Sequence, residues 1–186
     1  HSFEKRRECL RTLKKIGFQV GTGVMIGLPS QTVEDLARDI RFFREEAVDM
    51  IGMGPYIVHH ETPLASRETT AAWERRKDDI LETALKMIAV TRLALKNVNI
   101  ASTTALQALH PLGREMGLNA GANVVMPIIT PERYRKSYLL YEGKPCIDDS
   151  ASVCRDCLSG RIHAIGREVG WGAWGDGTPP PGGDGT

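Results

Sequence analysis

No stretch of this chain approaches the roughly 18 consecutive apolar residues that a membrane-spanning helix needs. Charge of one sign is also missing. There are 24 basic and 23 acidic side chains, a net charge of +1, so the balance implies neither nucleic acid nor an acidic membrane surface as a partner. Cysteine is scarce: of four, Cys9 stands alone while Cys146, Cys154 and Cys157 cluster. Nothing at the start reads as a secretory signal, so the cluster points to metal ligands in a reducing, cytoplasmic setting before it points to disulfides. Residue 1 is His rather than Met, and a helix is under way by Phe3. The expectation is the C-terminal part of a longer cytoplasmic protein.

The most informative stretch present is Gly21-Thr-Gly-Val-Met-Ile-Gly-Leu-Pro29. Glycine is a poor strand residue, with no side chain to pack and a high entropic cost. Gly21, Gly23 and Gly27 in one apolar strand therefore suggest a flat ligand lying against the backbone. Around this stretch the chain alternates strand and helix. A helix over 3–16 carries Leu10, Leu13 and Ile16 on one face and stops at Gly17. A strand over 18–27 follows. Thr32 and Asp35 then cap a helix whose buried stripe is Val33, Leu36, Ala37, Ile40 and Phe43. The next strand covers 49–56, and an irregular loop covers 57–70. One long helix is predicted over about 72–95, with Ile80, Leu81, Ala84, Met87, Ile88 and Thr91 inward. A third strand over 98–102 leads into a helix capped by Thr104 and Gln107 and interrupted at His110-Pro111. A fourth strand over 122–126 precedes a last helix opened by Thr130-Pro131-Glu132. From Gly166 the chain turns to Gly, Pro and Trp, a composition expected to be disordered.

Four strand–helix units in series imply a parallel α/β sheet with right-handed crossovers. That is the C-terminal half of a (β/α)8 TIM-type barrel, expected over 1–142, followed by a cysteine-bearing segment over 143–165 and a tail over 166–186. In such barrels the reactive groups lie at the C-terminal ends of the strands. The residues there are Gly27-Leu28-Pro29, Gly54-Pro55-Tyr56, Ser102-Thr103-Thr104 and Met126-Pro127. No Ser-His-Asp set, Walker loop or pair of acid–base carboxylates is among them. Small, hydroxyl-bearing and apolar groups suit a large cofactor that brings its own chemistry.

Gly21 to Thr32 (GTGVMIGLPSQT), Gly52 to Leu64 (GMGPYIVHHETPL), Ser102 to Leu106 and the region from Met126 to Tyr141 together resemble the FeFe-hydrogenase maturase family (HydE), biotin-synthase-like radical S-adenosylmethionine (SAM) enzymes. One departure is Ile128, where many members of the family carry Asn after Met-Pro. The resemblance implies that Gly21, Gly23, Met25 and Gly27 back the SAM adenosyl group, and that Pro55 and Tyr56 meet its adenine. It implies that Thr103 and Thr104 bind an anionic substrate group, with Met126, Tyr138 and Tyr141 near the central cavity. It further implies a 5′-deoxyadenosyl radical acting on a small sulfur- and iron-containing precursor of the hydrogenase H-cluster, and other maturation proteins as partners. The C-x3-C-x2-C motif that holds the family's 4Fe-4S cluster does not occur in this chain. The chain alone is therefore expected to be inactive, with no catalytic residue of its own.

Other readings stay open. Met126 also suits core filling, and Tyr138 and Tyr141 suit one packed helix face. His59-His60-Glu61 reads as a solvated loop before a metal site. Cys146-x7-Cys154-x2-Cys157 resembles an accessory iron–sulfur site (2Fe-2S or 4Fe-4S), against zinc with His163 as fourth ligand, or no metal. In place of a HydE-type enzyme stand another radical SAM enzyme, of the biotin synthase or methylornithine synthase type, and a non-enzymatic metal-binding module.

Overall fold

The computed structural model describes residues 2–138, 151–172 and 175; for residue 138 and residues 151–153 the description is of the backbone alone. Three strands, β1 (Gly21–Ile26), β2 (Met50–Pro55) and β3 (Asn99–Ala101), form one parallel sheet in the order β1-β2-β3. The helices are α1 (Phe3–Lys15), α2 (Val33–Glu45), α3 (Arg67–Arg75), α4 (Lys77–Ala94), α5 (Thr104–Leu109), α6 (Gly113–Asn119), α7 (Glu132–Arg135) and α8 (Ala151–Ala164). This is a mixed α/β arrangement consistent with part of a TIM-type barrel.

Alternation along the strands decides where the core sits. Ile51 and Met53 of β2, with Ile26 and Ile100 beside them, are fully buried against Leu36 and Phe43 of α2, Leu81, Ala84 and Ile88 of α4, and Leu106 of α5. Thr91 of α4 donates from its hydroxyl to the Met53 sulfur at 3.5 Å. All of this packing is on one face of the sheet. Helix α2 starts where expected: the Asp35 N–H donates to Thr32 Oγ1 at 3.2 Å, and the Thr32 N–H to Asp35 Oδ2 at 2.8 Å. Its buried row is narrower than the sequence pattern suggests. Leu36 and Phe43 are buried, but Val33 and Ala37 are exposed, because the helix leans on the sheet along a single line.

Four other expectations are corrected. The long helix is two helices: Arg76 (φ −105°, ψ 7°) ends α3 and begins α4. The break lets α3 fold back over the strand ends, where the Trp73 indole N–H donates to the Tyr56 carbonyl at 2.7 Å. The loop is correspondingly shorter, since Ser66 caps α3. The N-cap of α5 is Thr103 rather than Thr104 and makes no side-chain capping bond, while Gln107 is engaged by Arg114 at 2.5 Å. The fourth strand is reduced to a single parallel bridge between Ala101 and Val124. Asn123 explains this: its side-chain oxygen accepts the Ile100 N–H at 2.8 Å, a ladder group that backbone would otherwise pair, and its side-chain amide donates to Asn99 Oδ1 at 2.8 Å.

Helix α1 has no buried residue, and Ile16 lies outside the packed face. Charge holds this helix instead. Glu46, whose side chain is 2% exposed, accepts from Arg11 Nε at 2.7 Å, Arg11 Nη2 at 2.9 Å and Arg7 Nε at 2.6 Å. The bond from Arg11, then that from Arg7, holds the Glu46 carboxyl below the usual carboxylate range although burial acts the other way. Because the folded value is depressed, the stabilisation is present above the ordinary carboxylate range and is lost as pH falls through the folded value. Glu46→Gln should therefore raise hydrogen exchange across α1 while leaving β2 protected, and wild-type α1 should loosen in the same way at acid pH. Equal protection of α1 in the variant at neutral pH would show that this clamp does not hold the helix.

Candidate functional site

On the opposite face of the sheet the strand register arranges the residues in rows. Gly21 pairs with Met50 and Met50 with Asn99; Gly23 pairs with Gly52 and Gly52 with Ala101; Met25 pairs with Gly54. The middle row, Gly23-Gly52-Ala101, carries almost no side chain. A Cβ built on Gly23 would overlap the Gly52 carbonyl oxygen, so this position admits only glycine. A Cβ on Gly52 would meet nothing within 4 Å, so Gly52 faces open space. The result is a flat backbone floor flanked by Met25, which is 54% exposed.

At the upper end of this floor, a Cβ on Gly54 would lie 3.0 Å from Thr103 Oγ1. Two buried side-chain oxygens find no hydrogen-bond partner among the described residues, Tyr56 Oη and Thr103 Oγ1. Buried polar groups are nearly always bonded, and an unmet one costs about 1–3 kcal/mol. Both orphans lie at strand ends, and both belong to the residues singled out from the sequence. Tyr56 is 7% exposed and lines a cavity of about 270 Å³ with Gly27, Pro29, Trp73, Arg76 and Ile80. Gly27 takes φ 89°, and a Cβ there would meet Ile80 at 2.8 Å, so its place in the turn also requires glycine.

The register places Gly21, Gly23 and Met25 on one face of β1, with Gly21 at its start and Met25 near its end; Pro55 ends β2 on the buried, helix-facing side, and Gly27, Tyr56 and Thr103 lie just past the strand ends. Thr104 starts α5 beside Thr103. Met126 is exposed beyond the Val124 bridge. Tyr141 and Cys146 lie outside the described residues, and only the backbone of Tyr138 is described, in a 3-10 turn. Sequence reasoning did not single out Gly52 and Ala101 as floor residues. Their signal lies in the register, which the linear sequence does not display.

His59 and His60 stack at 4.6 Å between ring centroids in the exposed loop, and the Glu61 N–H donates to His59 Nδ1 at 3.2 Å. Cys154 and Cys157 lie on α8, which the sequence reading did not assign as a helix. Its signal was the i, i+4, i+8 spacing of Cys154, Leu158 and Ile162, all buried. Cys157 is exposed. As placed, one thiol of the pair faces the core and the other solvent, which does not fit a shared metal. Among the described residues no group of three His, Cys, Asp or Glu side chains could hold one. Arg161 docks α8 through Glu115 and the Pro111 carbonyl. Burial pushes the Glu115 carboxyl up, but the Arg161 bond, a backbone hydrogen bond and the charges of Arg161 and Arg114 together hold the group below its ordinary value.

The glycine floor, the orphan hydroxyls and the parallel strands are features of a barrel-type cofactor enzyme, and the comparisons agree. No family model matches the chain. It is 45% identical over 173 residues to the [FeFe] hydrogenase maturase subunit HydE of Thermotoga maritima, covering 92% of this chain and 47% of that protein. It is 33% identical over 162 residues to a biotin synthase of Cyanothece sp., covering 86% and 38%. It is 27% identical over 141 residues to a 3-methylornithine synthase of Methanosarcina barkeri, covering 76% and 37%. The chain spans about half the length, or less, of the curated relatives it matches. It belongs with the radical SAM proteins. Within them it is HydE-like.

The floor yields a paired prediction. Gly23→Ala should destabilise the fold by about 2 kcal/mol, because strand backbone has to move to admit the methyl group. Gly52→Ala, its neighbour in the same row, should melt within about 1 kcal/mol of wild type. Equal melting temperatures for the two variants would contradict the register.

Proposed function

We propose that this chain provides the part of a radical SAM maturase-type barrel that backs SAM and lines the substrate cavity. The observation that carries the reading is the Gly23-Gly52-Ala101 row, together with the unpartnered buried hydroxyls of Tyr56 and Thr103 just past the ends of β2 and β3. A bare backbone row admits a flat ring at van der Waals distance, which any larger side chain would prevent. Gly21, Gly23 and Met25 would hold the adenosyl group from below, while Gly27, Pro55 and Tyr56 would close its edge. Thr103 would donate its hydroxyl to an anionic substrate group, a charge-assisted bond of about 1.5–3 kcal/mol, with Thr104 beside it. Met126 would line the apolar side of the cavity. SAM, when bound, would supply the radical chemistry, with an iron–sulfur cluster whose C-x3-C-x2-C ligands do not occur in this chain. The chain's own residues do no proton or group transfer; they position groups and exclude water.

The name of the HydE relative points to a hydrogenase maturation role; a small sulfur- and iron-containing precursor as substrate and other maturation proteins as partners are what the family resemblance adds to this proposal. A cytoplasmic setting is part of the same proposal, as is the division into barrel, cysteine-bearing segment and tail. No step is routed through a second cluster on Cys146, Cys154 and Cys157.

Two measurements test this. After iron reconstitution and dithionite reduction, the chain alone should release no 5′-deoxyadenosine from SAM beyond a no-protein control; turnover would place the radical cluster in this chain. In equilibrium dialysis with labelled SAM, wild type should bind, and Gly52→Ala should bind about tenfold more weakly because its methyl group rises into the adenosyl position. Absence of binding by wild type, or undiminished binding by Gly52→Ala, would overturn the cofactor reading.

A further inference from the structure

The turn that leaves β1 folds back along the strand it came from. Gly27 (φ 89°) and Ser30 (φ 65°) both occupy the left-handed region, and the Gln31 N–H donates to the Leu28 carbonyl at 3.1 Å. A non-glycine residue in that region is uncommon and costs energy. What the turn achieves is to send the Gln31 side chain along the free edge of β1. Its carboxamide nitrogen donates to the Met25 carbonyl at 3.0 Å, and its carboxamide oxygen accepts the Gly27 N–H at 2.7 Å.

These two bonds have a specific geometry. In a parallel sheet, the residue opposite position i sends its N–H to the carbonyl of i−1 and takes the N–H of i+1 on its own carbonyl. Gln31 does both around Ile26. Its carboxamide therefore stands where a residue of a parallel neighbouring strand would stand. On the other edge, the Ile26 carbonyl accepts the Tyr56 N–H at 2.7 Å. At the level of Ile26, both edges of β1 are closed, one by backbone and one by a side chain.

We propose that Gln31 is a positioning residue for the site. It ends the free edge of β1 at Ile26 and fixes the backbone of Met25 and Gly27 in the position from which they meet the ligand. Both of those residues belong to the SAM-binding set of the proposed function, and in this respect the inference rests on that reading. A consequence follows for recognition. The Met25 carbonyl and Gly27 N–H are already engaged, so a ligand meets this end of β1 through carbon surface and the Met25 side chain. Hydrogen-bonded recognition falls to other groups, and among the described residues Tyr56 and Thr103 carry buried hydroxyls without a partner.

The test uses this chain, two variants and two readouts: amide exchange at Gly27 by NMR, and SAM binding by equilibrium dialysis. Gln31→Ala should lower Gly27 protection at least tenfold and weaken SAM binding roughly tenfold. Gln31→Glu gives a signature that a loop-filling role would not produce. A protonated carboxyl offers the same acceptor and donor as the amide, whereas an ionised one sets negative charge against the Met25 carbonyl. Both readouts should return toward wild type as pH falls through the new carboxyl's range, above about 4.3 because the donated bond favours the neutral form. Asp35 and Asp39 line the same groove. Bonds from the Thr32 N–H and from Arg38 hold the Asp35 carboxyl down, while burial pushes that of Asp39 up. The variant is therefore read as its difference from the wild-type profile.

Unchanged Gly27 protection in Gln31→Ala overturns the edge closure. Lost protection with undiminished SAM binding overturns the positioning role. A pH profile for Gln31→Glu that parallels wild type overturns the requirement for both bonds. A wild-type chain that binds no SAM sinks the cofactor reading and the positioning role with it, and Gly27 exchange then decides the edge closure separately.

Discussion

In this parallel sheet the pairing of Gly23 with Gly52 decides what the face away from the hydrophobic core can be. Neither strand carries a side chain at that level, and at Gly23 none can be added without moving the Gly52 carbonyl. The helix-facing residues of the same strands, Ile26, Ile51 and Met53, do the opposite work and are buried completely. One alternation thus produces two surfaces. The first is an apolar layer that supplies the hydrophobic stabilisation. The second is a row of glycine and alanine, Gly23-Gly52-Ala101, that carries almost no side chain.

Polar anchoring holds the arrangement where apolar contact is thin. Helix α1 buries nothing and depends on Arg7 and Arg11 meeting Glu46. The end of α4 is tied by Arg92, which donates to the carbonyls of Gly121 at 2.9 Å and of Lys96 and Val98 at 2.8 Å, and to Asn123 at 2.9 Å. Glu115 and Arg161 perform the same service for α8. A buried charge persists only when it is paired and bonded, and in each of these cases it is. Against that background the unpartnered hydroxyls of Tyr56 and Thr103 stand apart. Tyr56 lies just past β2, and Thr103 lies between β3 and α5 as the helix's N-cap.

Much of this was legible in the linear order of residues. Alternating strand and helix patterns gave a parallel α/β architecture, because an apolar run bounded by glycine or proline and followed by a capped amphipathic stretch has few other ways to bury itself. The Thr32–Asp35 capping box was readable because caps are local, as was the inner face of α4, whose burial follows a period of 3.6 residues. Glycines at 21 and 23 stood out in the sequence, and the close approach of the Gly52 carbonyl gives Gly23 a packing reason. The i, i+4, i+8 row of α8 was equally local, but the cysteine spacing drew attention to metal chemistry instead.

The tertiary structure alone decided the rest. The break at Arg76 arises because Trp73 reaches the Tyr56 carbonyl, a contact 17 positions away that no local propensity encodes. The fourth strand shrank to one bridge because Asn123 spends its side chain on a ladder group of β3. Register set Gly52 and Ala101 beside Gly23, and only folding turned the Gln31 amide back onto Met25 and Gly27. The sequence by itself determined which residues could be bare, capped or buried, because those properties depend on near neighbours. Which bare residues would share a row, and which side chain would close an edge, depended on strands and turns meeting across the fold.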